Sequence, residues 1–283
     1  MYYGLITISV ILFGLQFLFN NQYEREYGNH IASNFMFSLL YSLGGMIPLL
    51  IINGFKLEAT AFTVIMAVIT ALNSILYTFF SLKALSKINL SLFSLFVALG
   101  GMLLPFFAGI LFYDEAFTLG KGICVIVVTS ALVLNVRKGK KKGGFWYCAG
   151  VFIMNGMSGV ISKYFQWAQY EKTDAASYSI WIGIVTMAIS IVALFFMRKG
   201  LKMPNLKAVA CSAGYGVFNR IGNYLLLIAL AVLPASVQYP FITGGVMIVS
   251  AIISISIGQK PSKKELFSVL LAFLGILMLV IIP

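Results

Sequence analysis

Ten runs of about 20 apolar residues, parted by short polar breaks, take up nearly all of this 283-residue chain. Nothing constrains the fold more, because a run of that length, wound at about 1.5 Å per residue, matches the hydrocarbon thickness of a bilayer. The expected spans are Tyr2 to Asn20, Ser33 to Asn53, Ala59 to Leu82, Leu90 to Tyr113 and Leu119 to Val136, then Phe145 to Gln169, Ser177 to Met197, Ala208 to Leu230, Ala235 to Ile257 and Leu266 to Ile282. The runs are continuous rather than alternating, which favours helices over a β-barrel. Composition agrees: 10% of residues are charged, against about 25% in a soluble domain. The first run has neither the basic leader nor the small-residue cleavage site of a secretory signal, so it reads as a retained helix, with the chain starting at Met1. No length remains for a soluble domain.

One shift of 144 positions carries the first half of the chain onto the second without gaps. It sets LGGMLL at Leu99 on TGGVMI at Thr243, pairing Gly100 with Gly244 and Gly101 with Gly245, and ASNF at Ala32 on ASYS at Ala176. The expected organisation is a five-helix repeat over 1–136, a basic linker over 137–144 and a second five-helix repeat over 145–283. An odd number of helices per repeat makes the two units cross the membrane in opposite directions. The fold class is thus an all-α integral membrane protein of ten transmembrane helices in two inverted five-helix repeats.

Basic loops stay in the cytoplasm. The loops after the odd-numbered spans carry fifteen Lys and Arg, five of them in the linker (Arg137, Lys138, Lys140, Lys141, Lys142), whereas those after the even-numbered spans carry Lys56, Lys121 and Lys172. This bias places both termini outside the cell membrane. It also accounts for the net charge of +12 without nucleic acid, since the basic residues sit in short loops with no interleaved aromatics. Attraction of the same residues to anionic headgroups makes the lipid bilayer an expected partner.

The acidic turn FYDEAFTLGKG, with Glu115, Thr118 and Gly120, follows a helix bearing the double glycine Gly100–Gly101. On ten helices in two inverted units, this pattern resembles the EamA family of the drug/metabolite transporter superfamily over the whole chain. The resemblance implies secondary transport of a small metabolite by alternating access, through a central cavity lined by helices one, three, four, six, eight and nine. It also implies cytoplasmic termini, the reverse of the loop charges. The second repeat departs from the motif, with Gln259 where the first has Glu115 and Glu265 where it has Lys121.

Inverted repeats place binding near the midplane, so polar residues at that depth are the candidates. Arg220 leads them. It sits about a dozen residues from each end of its span, about 20 Å from either surface, and needs a partner inside, because a centred arginine costs about 2.5 kcal/mol or more. None of the eight acidic residues is available at span centres: all fall in loops or at helix ends. That argues against proton-coupled export of lipophilic cations and for a ligand that brings its own carboxylate, such as an amino or organic acid. Asn219, Asn223 and Tyr224 share a helical face with Arg220, and Tyr215 lies near; the two asparagines can hold the guanidinium or the ligand. The other candidates are Gln16, Asn73, Tyr77, Ser94, Asn155, Ser158, Gln238 and Tyr239. Gln238 and Tyr239 precede Pro240, where a bend can form, as at Pro105. Lys163, near a helix end, reads as an interfacial anchor beside Trp167.

Two other readings remain open: a carrier of neutral or quaternary-ammonium solutes held by Tyr77, Tyr215 and Tyr239 ring faces, with Arg220 structural, and a non-transporting scaffold or lipid-interacting subunit. Cys124, Cys148 and Cys211 lack metal-ligand spacing, and His30 lies in a loop, so no metal, no cofactor and no enzymatic chemistry is expected.

Overall fold

Helix after helix follows the apolar runs. The computed structural model describes residues 2–28, 30–87, 90–134, 144–197, 203–256 and 263–282, and among them it contains ten α-helices and no strand. They are α1 Tyr2–Tyr27, α2 Ile31–Ile52, α3 Ala61–Lys87, α4 Leu90–Phe112, α5 Leu119–Leu134, α6 Phe145–Trp167, α7 Ala175–Phe196, α8 Leu206–Leu230, α9 Ala235–Ser256 and α10 Lys263–Ile281. Residues 137–143 of the basic linker and Gln259 lie outside the described residues. Six helices carry stretches long and apolar enough to cross a membrane, within α2, α3, α4, α6, α7 and α9; α1, α5 and α10 contribute shorter apolar segments. The 25-residue α8 is not among the six, because Lys207, Asn219, Arg220 and Asn223 lower its hydropathy. Large apolar side chains lie open along the helices, among them Leu111 at 69% and Phe112 at 71% exposure. In water such surfaces would drive aggregation; in lipid they are the solvated face.

The shift of 144 reappears in the helix boundaries. Applied to α2 it yields the limits of α7, and applied to α3, α4 and α5 it lands within a few residues of α8, α9 and α10. Counterparts also pack on one another, α2 on α7, α4 on α9 and α5 on α10.

Local chemistry sets the helix ends. Asp174 caps α7, its Oδ1 accepting the N–H groups of Ala176 at 2.7 Å and Ser177 at 2.8 Å, and its Oδ2 the Ser177 hydroxyl at 3.0 Å. After α2 the chain reverses through Gly54 and Phe55, both at positive φ, while the Asn53 amide donates to the Lys56 carbonyl and to Ser177 Oγ. Pro48, Pro105 and Pro240 all lie inside helices that run on past them, so the expected proline bends do not interrupt α4 or α9.

The chain divides into two compact units, residues 1–10, 72–168 and 229–283 in the first and 11–71 and 169–228 in the second. In the first, Met102, Phe106, Cys124, Val128 and Leu279 form one core, Ala84, Cys148 and Val151 a second, and Ile6, Val10 and Ala229 a third. All three cysteines of the chain are free thiols, and Cys124 and Cys148 serve these cores as small apolar residues.

In the second unit, small residues bring α2 and α8 into backbone contact. A β-carbon on Gly216 would collide with the Tyr41 carbonyl, and one on Gly45 with the Gly216 carbonyl and the Arg220 side chain. Gly216→Val is therefore expected to destabilise the fold by about 1–3 kcal/mol, read as a lower thermal midpoint in detergent. Gly4→Val, where a β-carbon meets nothing within 4 Å, should leave the midpoint unchanged.

Candidate substrate-binding site

Arg220 projects from α8 in the second unit and is 6% exposed. Its surroundings come from α2 and α7. Nη1 donates to the Ser179 carbonyl and Nη2 to Ser42 Oγ, both at 3.4 Å, and the guanidinium carbon lies 5.4 Å from the centre of the Tyr41 ring. Both hydrogen bonds are long beside the 2.7–2.9 Å usual for a charged donor, whereas the ring supplies a cation–π contact. The buried Nε–H has no hydrogen-bond partner among the described residues, and no carboxylate pairs with the guanidinium there. The cation that the sequence places at mid-membrane is thus held loosely by neutral groups.

The neighbouring asparagines bond elsewhere than to the guanidinium. Asn219 Nδ2 donates to Gln16 Oε1 at 2.9 Å, and Asn223 Nδ2 donates to the Asn219 carbonyl at 2.8 Å. They form an amide ladder from α8 to α1 and do not hold the guanidinium: residues 219 and 220 are about 100° apart around the helix, so they meet different neighbours. Tyr215 packs edge-on against Phe37 and Tyr41, behind the ring that faces Arg220. Tyr41, Ser42 and Ser179 are the site residues that sequence reasoning missed. Serine and tyrosine are common in apolar helices, and nothing local marks these three.

The remaining candidates belong to the first unit. Asn73 and Asn155 tie helices together, donating to the Met154 carbonyl at 2.9 Å and the Val97 carbonyl at 2.7 Å. Tyr239 donates to the Gly159 carbonyl at 3.1 Å, joining α9 to α6. Gln238 is fully buried, and Tyr77 packs on the core around Cys148. Ser94 and Ser158 stand at exposed positions.

Also in the first unit, Lys163 corrects the sequence reading. It forms a 3.0 Å ion pair with Glu115, their side chains 13% and 6% exposed, and so does not snorkel to the surface. The turn after α4 explains this: Asp114 takes a left-handed φ of 53°, which aspartate tolerates better than most residues, and Glu115 folds back against Gly109. Its Oε1 accepts the Ala235 N–H at 2.7 Å and its Oε2 the Ser236 N–H at 2.8 Å. Glu115 thereby caps α9 from a distant part of the chain and ties the α4–α5 turn to α6 and α9. Tyr113 and Trp167 pack nearby with ring centres 5.5 Å apart and planes tilted by 59°.

Burial pushes the Glu115 carboxyl up, but hydrogen bonds from Ser236, Ala235 and Lys163 outweigh it and hold the group below its ordinary 4.5. A folded-state value below the unfolded one adds stability at neutral pH, and that stability is lost as pH falls through the folded value. The thermal midpoint should accordingly stay flat near neutrality and fall below about pH 4.5, with a smaller fall in Glu115→Gln.

Ten helices with open apolar faces, holding a buried cation and amide ladders, define a multi-pass helical membrane protein. Residues 142–281 match the EamA-like transporter family, which places the protein in the drug/metabolite transporter superfamily. A solved crystal structure, titled only as that of a protein, shares the fold: it aligns with a TM-score of 0.77 over 98% of this chain and 95% of its own, at 14% identity. No curated protein matches the sequence.

Proposed function

We propose that the protein is a secondary transporter that moves a small carboxylate-bearing metabolite across the cell membrane by alternating access of two inverted five-helix repeats. One observation carries this reading: Arg220 is 6% exposed, pairs with no acid among the described residues, and keeps an N–H without a partner. A buried cation at mid-membrane costs free energy unless something offsets it, and an arriving carboxylate supplies the missing charge. The matched boundaries and mutual packing of α2 with α7, α4 with α9 and α5 with α10 support the duplication. The test is uptake of a panel of amino and organic acids by proteoliposomes. Movement of none of them would sink the reading.

The orientation proposed from the loop charges puts both termini outside. A reporter active only outside the cytoplasm, fused after Pro283, is expected to be active; a silent but well-expressed fusion would reverse the assignment.

A further inference from the structure

We infer that the ligand's carboxylate docks on the Nε–Nη2 edge of Arg220, beside Ser42 and Gly183, and that the site takes a 2-hydroxy or 2-oxo acid and rejects the matching amino acid. This rests on the carboxylate-carrier reading above and sharpens it.

The guanidinium narrows its own docking edge. Carboxylates bind it best in its plane, through two parallel N–H bonds. Tyr41 lies 5.4 Å away, and Nη1 is directed to the Ser179 carbonyl. Nη2 is the terminal nitrogen on the same side as the Nε–H, which has no partner. It makes one 3.4 Å contact, to Ser42 Oγ, so this edge offers two parallel donors at the least cost in existing bonds. Helix α7 approaches the same nitrogen at Gly183, where a β-carbon would stand 3.8 Å from Nη2.

Ser42 decides what may accompany the carboxylate. A substituent on the adjacent carbon comes within reach of its hydroxyl, which can donate to a hydroxyl or oxo oxygen. An ammonium there would stand beside the guanidinium and needs an anion to offset the like charge. Asp174 is the acid nearest to Ser179 along α7, about 7.5 Å away by helical rise, and it spends both oxygens on capping that helix. Among the described residues no carboxylate forms an ion pair with Arg220, so no acid already stands at this edge to offset the ammonium.

The experiment is isothermal titration of the purified full chain in detergent with size-matched acid pairs: lactate and alanine, leucic acid and leucine, phenyllactate and phenylalanine. At least one hydroxy acid should bind about 30-fold or more tighter than its amino partner. Ser42→Ala should lower affinity for that acid toward that of the analogue with hydrogen in place of the hydroxyl; Ser42→Cys serves if the alanine variant fails to fold. Equal binding of an amino acid and its hydroxy partner overturns the inference but leaves the carrier reading standing. So does an unchanged hydroxyl preference in the Ser42 variant. If no acid binds, or Arg220→Gln binds as tightly as the native chain, both the inference and the carrier reading fail.

Discussion

Replacing Arg220 by glutamine is expected to abolish carboxylate transport while leaving the fold intact. Removing one partner of a buried, hydrogen-bonded charge pair costs about 2–5 kcal/mol, which is about 30-fold to several-thousand-fold in affinity at 1.4 kcal/mol per decade. Glutamine still reaches Ser42 or Ser179 but brings no charge. The variant's thermal midpoint without ligand carries a second, independent answer. If the arginine serves the ligand, its removal takes away a buried cation held by two 3.4 Å contacts, and the midpoint holds or rises. If the arginine instead braces α2 and α7, the midpoint falls and transport of neutral solutes falls with it. Uptake by proteoliposomes and unfolding in detergent, measured on one preparation, separate the two.

Glu115→Gln is expected to be the most destabilising conservative substitution in the first unit. The carboxylate accepts from three donors: the N–H groups of Ala235 and Ser236 and the Lys163 ammonium. An amide of the same shape turns an NH2 toward one of them and leaves Lys163 buried without its counter-charge. Breaking a buried pair on one side costs about 3–5 kcal/mol. Lys163→Met should cost less, since the Glu115 carboxylate retains both α9 N–H groups. The double variant should be more stable than the sum of the single losses predicts, because the buried ammonium has gone too. Strictly additive losses would show that the 3.0 Å contact carries no coupling.

The helices were legible because hydrophobic length is a local property. A run such as Ser33 to Asn53 differs from the observed α2 by a few residues, and the shift of 144 seen in the residues returns in the helix boundaries. The place of Arg220 well inside α8 was legible for the same reason. What surrounds it was not: Ser42 is 178 positions away and Ser179 is 41, and no pattern around either marks it as a neighbour. Lys163 misled for a related reason. Its place near a helix end implied the membrane surface, but the α4–α5 turn folds the Glu115 carboxylate under α9 and against it.

By itself, the amino-acid sequence determined that this chain is built of helical apolar runs of membrane length and carries a cation well inside one helix, because hydrophobic length and charge are properties of each segment separately. Tertiary structure alone decided which charges are neutralised. It paired Glu115 with Lys163 and left Arg220 among a ring, a hydroxyl and a carbonyl, because partners for buried charges come from whichever helices pack alongside.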